Sequence, residues 1–148
     1  MTDLKTRITE DVKVAMKAGE KERVSLLRML TAELKQREVV EQIVLTDAAV
    51  ITAIEKMIKQ RKDSEQQFRA ANRPELADKE AGEIRGLMAY LPAQLSEAEL
   101  DAILAATIAE TGAQGPKDMG KVMAAIKPKV AGKTDMGALS ARIKARLA

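Results

Sequence analysis

The sequence contains no cysteine, no histidine and no tryptophan. Without cysteine there can be no disulfide, no thiolate metal site and no cysteine nucleophile. Without histidine the commonest general acid/base and the commonest metal ligand are also gone. Tyr90 and Phe68 are the only aromatic residues. That argues against a reader of single strands, which stacks bases on such rings. No apolar run reaches the roughly 18 residues that mark a membrane-spanning helix. The start, Met1-Thr2-Asp3-Leu4-Lys5, also lacks the apolar stretch of a secretory signal. These features predict a cytoplasmic protein with no membrane association.

What is present suits helices. Hydrophobic residues make up 46% of the 148 positions and charged ones 32%, enough for a buried core and a well-solvated surface. The core must come from Leu, Ile, Val, Ala and the eight Met. Ala, Leu, Met, Glu, Lys and Arg lead the helix scale, whereas strands draw on aromatic and β-branched residues. The composition predicts an all-α fold.

The periodicity divides the chain into seven helices. A first helix runs from a cap at Thr2 or Asp3 to Ala18, with Leu4, Ile8 and Val12 on one face and Gly19 as its stop. A second begins near Glu20 and buries Val24, Leu27, Leu30 and Leu34, and Val39 to Leu45 then reads as a linker. Thr46-Asp47 opens a third, apolar through Ile58 and polar beyond it, as if projecting past the core or lying on a surface. Pro74 suits the first turn of a fourth helix, and Pro92 ends it. Ser96-Glu97-Ala98-Glu99 is a capping box, with Leu95 and Leu100 at the staple positions of a fifth helix that stops at Gly112. Two short helices follow, about Asp118–Lys127 and Asp135–Leu147, separated by Pro128 and Gly132. The organisation predicted is a helical N-terminal domain of about four helices, residues 1–91, and a three-helix domain, residues 92–148, small but able to fold.

Charge is unevenly spread. Residues 112–148 carry Lys117, Lys121, Lys127, Lys129, Lys133, Arg142, Lys144 and Arg146 against Asp118 and Asp135, a local charge of +6. Residues 1–111 hold 17 basic and 20 acidic groups, a charge of −3. A polyanionic partner and an ordinary solvated helical face both account for this.

The last two helices open alike, Asp118-Met119-Gly120-Lys121-Val122 and Asp135-Met136-Gly137-Ala138-Leu139. Each Asp is placed to cap its helix. Glycine in a first turn gives up helix propensity, so a bare backbone must serve something there. Close packing is the first explanation. Phosphate binding at the exposed N–H groups, beside Lys117, Lys121 and Lys133, is the second.

Three ordered blocks carry a family resemblance: Tyr90-Leu91-Pro92-Ala93-Gln94-Leu95-Ser96-Glu97, then Lys117 to Met123, then Ala131-Gly132-Lys133-Thr134-Asp135 with the closing helix. With Arg23 to Glu38 and Lys56 to Asp63, they resemble the GatB/YqeY family, and its free-standing YqeY-like members in particular. Lys133 stands where the family often has Arg, which keeps the charge but not the planar fork. The resemblance implies a C-terminal domain similar to the tail of the GatB subunit of tRNA-dependent amidotransferases, where the tail contacts tRNA. It also implies a partner, tRNA, through the eight basic residues named above, or a tRNA-aminoacylation or amidation enzyme. The family often carries a carbon–nitrogen ligase label, with glutamine as amido donor.

That label finds no residues here. Releasing ammonia from glutamine needs an activated nucleophile. Ser25, Ser64, Ser96 and Ser140 all fit caps or ordinary helix positions, and the pairing of Ser64 with Lys62 is the one conceivable couple. Gly132-Lys133-Thr134 matches the end of a phosphate-binding loop but lacks its upstream glycine. Glu80/Glu83 and Glu97/Asp101 fit exposed faces and caps. The reading is a non-catalytic tRNA-binding accessory protein with no cofactor and no metal. The alternatives are an amidotransferase, or a helical adaptor that binds another protein through Lys56, Lys59, Arg61 and Lys62.

Overall fold

The structure is a computed structural model that describes residues 3–148. Among the described residues the only regular elements are seven α-helices and one 3-10 turn. The fold is all-α, as the composition predicts. The chain divides into two compact units, Met1–Leu91 and Pro92–Ala148.

The first unit holds α1 (Leu4–Ala18), α2 (Lys21–Glu41), α3 (Asp47–Ala70) and α4 (Pro74–Met88). Asp3 caps α1 by accepting from the Thr6 N–H at 2.7 Å; the alternative cap, Thr2, lies outside the described residues. Gly19 ends the helix at φ 71°, a left-handed conformation that glycine adopts without strain. Thr46 caps α3 through the Ala49 N–H, and Asp47 accepts from the Leu4 N–H at 2.9 Å, tying the starts of α1 and α3 together. Ile8, Leu27, Leu30, Leu34, Val50, Ile54 and Leu87 fill the core and are fully buried.

One expectation fails in this unit, and one open alternative is decided. The linker read from Val39 onward is helical until Glu41, and the helix ends only where Gln42 turns left-handed at φ 54°. The β-branched residues lower helix propensity by only a few tenths of a kcal/mol. Glu38 then fixes the last turn, accepting from Lys5 at 2.5 Å and from the Leu45 N–H at 3.1 Å. The polar half of α3, read as projecting past the core or lying on a surface, takes the second course and lies against α4. Arg61 donates to Glu83 on α4 at 2.9 Å, with only 12% of its side chain exposed, and Arg69 reaches Asp78 at 3.3 Å. Burial and the neighbouring Glu83 raise the pKa of Glu80 beside this pair. Ion pairs thus join buried Ala77 of α4 in holding that seam.

The second unit holds α5 (Glu97–Thr111), a 3-10 turn at Pro116–Asp118, α6 (Met119–Val130) and α7 (Met136–Leu147). The Ser96 hydroxyl accepts from the Glu99 N–H at 3.1 Å. The return arm of the box differs from its usual form, since the Glu99 carboxylate accepts from the Ser96 hydroxyl. Leu100, Leu104, Val122, Ile126, Val130, Leu139, Ile143 and Leu147 form the core. In α6 and α7 they recur every four residues, which puts each set on one face.

Pro128 does not end α6. It lies inside the helix, which runs on to Val130. Proline lacks an N–H and crowds the carbonyl four residues back, but here only the final turn is affected. Val130, fully buried, holds that turn against the core.

Candidate nucleic-acid interface

Structure separates the eight basic side chains into two groups. Arg142 on α7 donates to Asp101 at 2.7 Å and reaches Glu97 at 3.2 Å. Lys129 on α6 meets Glu110 at 2.7 Å and the Thr107 hydroxyl at 3.1 Å. Thr107 is itself fully buried and donates to the Ile103 carbonyl. These two cations fasten α7 and α6 to α5. The side chains of Lys117, Lys121, Lys127, Lys133, Lys144 and Arg146 make no hydrogen bond or ion pair among the described residues.

The six do not share one helix face. Lys121 and Lys127 are six residues apart on α6, which places them about 120° apart around its axis. Lys117 belongs to the 3-10 turn and Lys133 to the α6–α7 loop. Counted over residues 92–148, eight basic residues stand against six acidic ones, because α5 brings Glu97, Glu99, Asp101 and Glu110. The surplus that the C-terminal sequence shows is therefore partly neutralised within the unit.

The repeated Asp-Met-Gly opening is not repeated in structure. Asp135 caps α7, accepting from the Ala138 N–H at 3.2 Å. Asp118 makes no capping bond to α6. Its carboxylate turns back to the Gln114 N–H at 3.0 Å, which holds its pKa below the usual range, with Gly115, Lys117 and Lys121 adding to the effect. The 3-10 turn is the reason: it holds Asp118 at φ −92° and ψ 3°, whereas Asp135 has the extended backbone of a capping residue.

Packing does not explain the glycines. A Cβ on Gly120 meets nothing within 4 Å, and one on Gly137 meets only the Asp135 carboxylate at 3.6 Å. The glycine that packing does require is Gly86 on α4, where a Cβ would lie 2.6 Å from Leu26 of α2. No pattern in the sequence singled it out.

The loop at Gly132-Lys133-Thr134 is not shaped as a phosphate cradle. Gly132 sits at φ 72°, the left-handed stop after α6. Its carbonyl accepts from the Gln94 amide and that of Lys133 from the Leu95 N–H, both at 2.8 Å. The loop is thus stitched to the segment that leads into α5. Of the serines, Ser96 caps α5, and Ser64 lies two residues from Lys62, which puts the two about 160° apart on α3.

A cluster in the first unit also escaped sequence reasoning. Tyr90 is buried, its hydroxyl donates to Asp11, and the Arg7 guanidinium lies 5.1 Å from the ring centre. Arg23 approaches the same Asp11 at 4.0 Å. Only the scarcity of aromatics hinted that Tyr90 has a special place.

A family model described as YqeY-like protein matches residues 5–147, across both units. The chain belongs to the YqeY-like family. Relatives include the altered inheritance of mitochondria protein 41, mitochondrial, of Pyrenophora tritici-repentis, 28% identical over 130 residues, or 86% of this chain and 71% of that protein. A protein of the same name from Lachancea thermotolerans is 34% identical over 118 residues, covering 77% of this chain and 63% of that one. An uncharacterised protein of Schizosaccharomyces pombe is 35% identical over 82 residues, 55% and 67% of the two chains. This YqeY-like chain therefore spans about two thirds of the length of these relatives.

Proposed function

We propose that this YqeY-like protein is a non-catalytic accessory of tRNA metabolism that binds the tRNA backbone through its second unit. The observation that supports it is the set of six cations, Lys117, Lys121, Lys127, Lys133, Lys144 and Arg146, that make no hydrogen bond or ion pair among the described residues. Unpaired lysines on several faces suit phosphate contacts along a folded duplex surface, which need no base readout. Lys129 and Arg142 leave the proposed contact set, since carboxylates of α5 already hold them. A tRNA-aminoacylation or amidation enzyme is the proposed protein partner on the same pathway. The cytoplasm is the proposed compartment; two fungal relatives are named as mitochondrial, and tRNA is present in both places.

The carbon–nitrogen ligase reading has no side chains to carry it among the described residues, because amide transfer needs a nucleophile with its base. It predicts glutamine-dependent ammonia release from the purified chain in the presence of nucleotide and tRNA.

The deciding experiment is a titration against total tRNA at several salt concentrations. Binding weakens log-linearly with salt, and the combined K117E, K121E and K133E substitutions lower the slope by about 0.9 for each phosphate contact removed. Tight binding indifferent to both, or no binding at low salt, overturns the reading.

A further inference from the structure

The α3–α4 hairpin runs on past the aliphatic core of the first unit. Beyond Ile58 no apolar residue of α3 belongs to that core, and α4 buries only Ala77 before Ile84. Across this stretch Arg61 pairs with Glu83 and Arg69 with Asp78. That antiparallel register sets Glu65, midway between the two arginines, opposite Glu80, which lies between the two acids. Arg61, Glu65 and Arg69 recur every four residues and so share one face of α3. The seam therefore gathers three carboxylates, those of Glu65, Glu80 and Glu83, around the largely buried Arg61.

The donors and acceptors across it do not match. Arg61 is already committed, its Nε to Glu83 at 2.9 Å and its Nη1 to the Met57 carbonyl at 3.3 Å. Glu65 Oε2 is buried and accepts no hydrogen bond among the described residues. Arg69 stands 3.9 Å from it, beyond hydrogen-bond reach, and also serves Asp78. A buried carboxylate oxygen needs a donor, and the side chain opposite it is Glu80. Burial first and Glu83 second favour the protonated form of Glu80; Arg61 and Lys79 oppose it, and Glu65 adds to it. The other neighbour of α4, α2, meets it further on, where the apolar Leu26 faces Gly86. A protonated carboxyl is a donor, and two carboxyls sharing one site hold a proton between them.

We propose that Glu65 and Glu80 form a pH-sensitive clasp on the α3–α4 hairpin. A protonated Glu80 donates to Glu65 Oε2 and closes the seam. Loss of that proton to solvent sets two like charges face to face and loosens it. Folding favours the bound proton, so the clasp contributes fully below the ordinary carboxyl value of 4.5, and its contribution is lost as pH rises through the higher value of the folded chain. The clasp lies within the first unit and stands whether or not the second unit binds tRNA.

Thermal melts of the full chain from about pH 5 to about pH 8 test it, with E80Q as the variant whose amide donates at every pH. E80Q melts close to wild type at the acid end and about 4 °C higher at the alkaline end. Hydrogen exchange at the alkaline end locates the gain, since E80Q slows exchange of the amides of residues 65–80. E65A removes the acceptor, and in that background most of the E80Q gain disappears. Glu65 and Glu80 are not core residues, and circular dichroism verifies that the variants stay folded. A gap between E80Q and wild type that is the same at both ends of the pH range overturns the proposal. So does an E80Q that gains nothing at the alkaline end, or a gain that survives intact beside E65A.

Discussion

The Tyr90 hydroxyl donates a 2.6 Å hydrogen bond to Oδ2 of Asp11, joining the end of the first unit to its first helix across 79 residues of chain. A buried phenol needs such a partner, and a carboxylate is a strong one. Arg7 over the ring and Arg23 beside Asp11 complete the cluster.

Burial, and then the Asp11 carboxylate, push the Tyr90 pKa up from 10.0 to about 12. A pKa raised by folding means that the protonated phenol stabilises the folded state. That stability is complete below about pH 10 and is lost as pH rises toward about 12. Y90F removes the bond and leaves Asp11 with Arg23 alone, costing about 2 kcal/mol at neutral pH. Thermal melts from pH 8 upward check both points. The gap between wild type and Y90F should close as pH climbs through that window, and a constant gap contradicts the assignment.

Gly86 and Gly120 should respond oppositely to alanine. At Gly86 the new methyl meets Leu26 at 2.6 Å. Leu26 is buried and must shift, so G86A destabilises by about 1 kcal/mol after the gain in helix propensity is counted. At Gly120 the methyl enters open space within α6, and G120A stabilises by about 0.5–1 kcal/mol. Denaturant unfolding of the two variants measures both signs. A destabilised G120A would restore the packing explanation of the Asp-Met-Gly repeat.

Arg142 distinguishes a structural cation from a binding one. R142Q breaks its links to Asp101 and Glu97, which are largely solvated, so solvent screening limits the loss to roughly 0.5–1 kcal/mol. The same variant should leave the salt slope of tRNA binding within about one contact of wild type. A larger fall in slope than that caused by K121E would return Arg142 to the contact set.

Much of the fold was legible because its signals are local. Leu4 and Ile8, or Leu100 and Leu104, reveal a helix by spacing alone, and Gly19, Thr46, Ser96 and Gly112 mark ends through their own backbone and side-chain chemistry. Where a stop signal is weak, local reading failed. Pro128 reads as a terminator by local rules, yet the helix tolerates proline in a last turn that a buried Val130 holds down. The Val39 to Leu45 run reads wholly as a linker, yet Glu38, pinned from outside the helix, carries α2 on to Glu41.

The cations of the second unit show where sequence stops. By itself the sequence determined that this is an all-helical chain, and that Lys117, Lys121, Lys127, Lys129, Lys133, Arg142, Lys144 and Arg146 crowd its C-terminal quarter. Only the tertiary structure decided that Lys129 and Arg142 are spent on acids 19 and 41 residues away, and that Asp118 turns back to Gln114. It likewise decided that Gly86, not Gly120, is pressed by a neighbour. Helix periodicity and capping depend on residues a few positions apart. Whether a charge is paired, or a Cβ has room, depends on which helices fold against each other, and no count along the chain contains that.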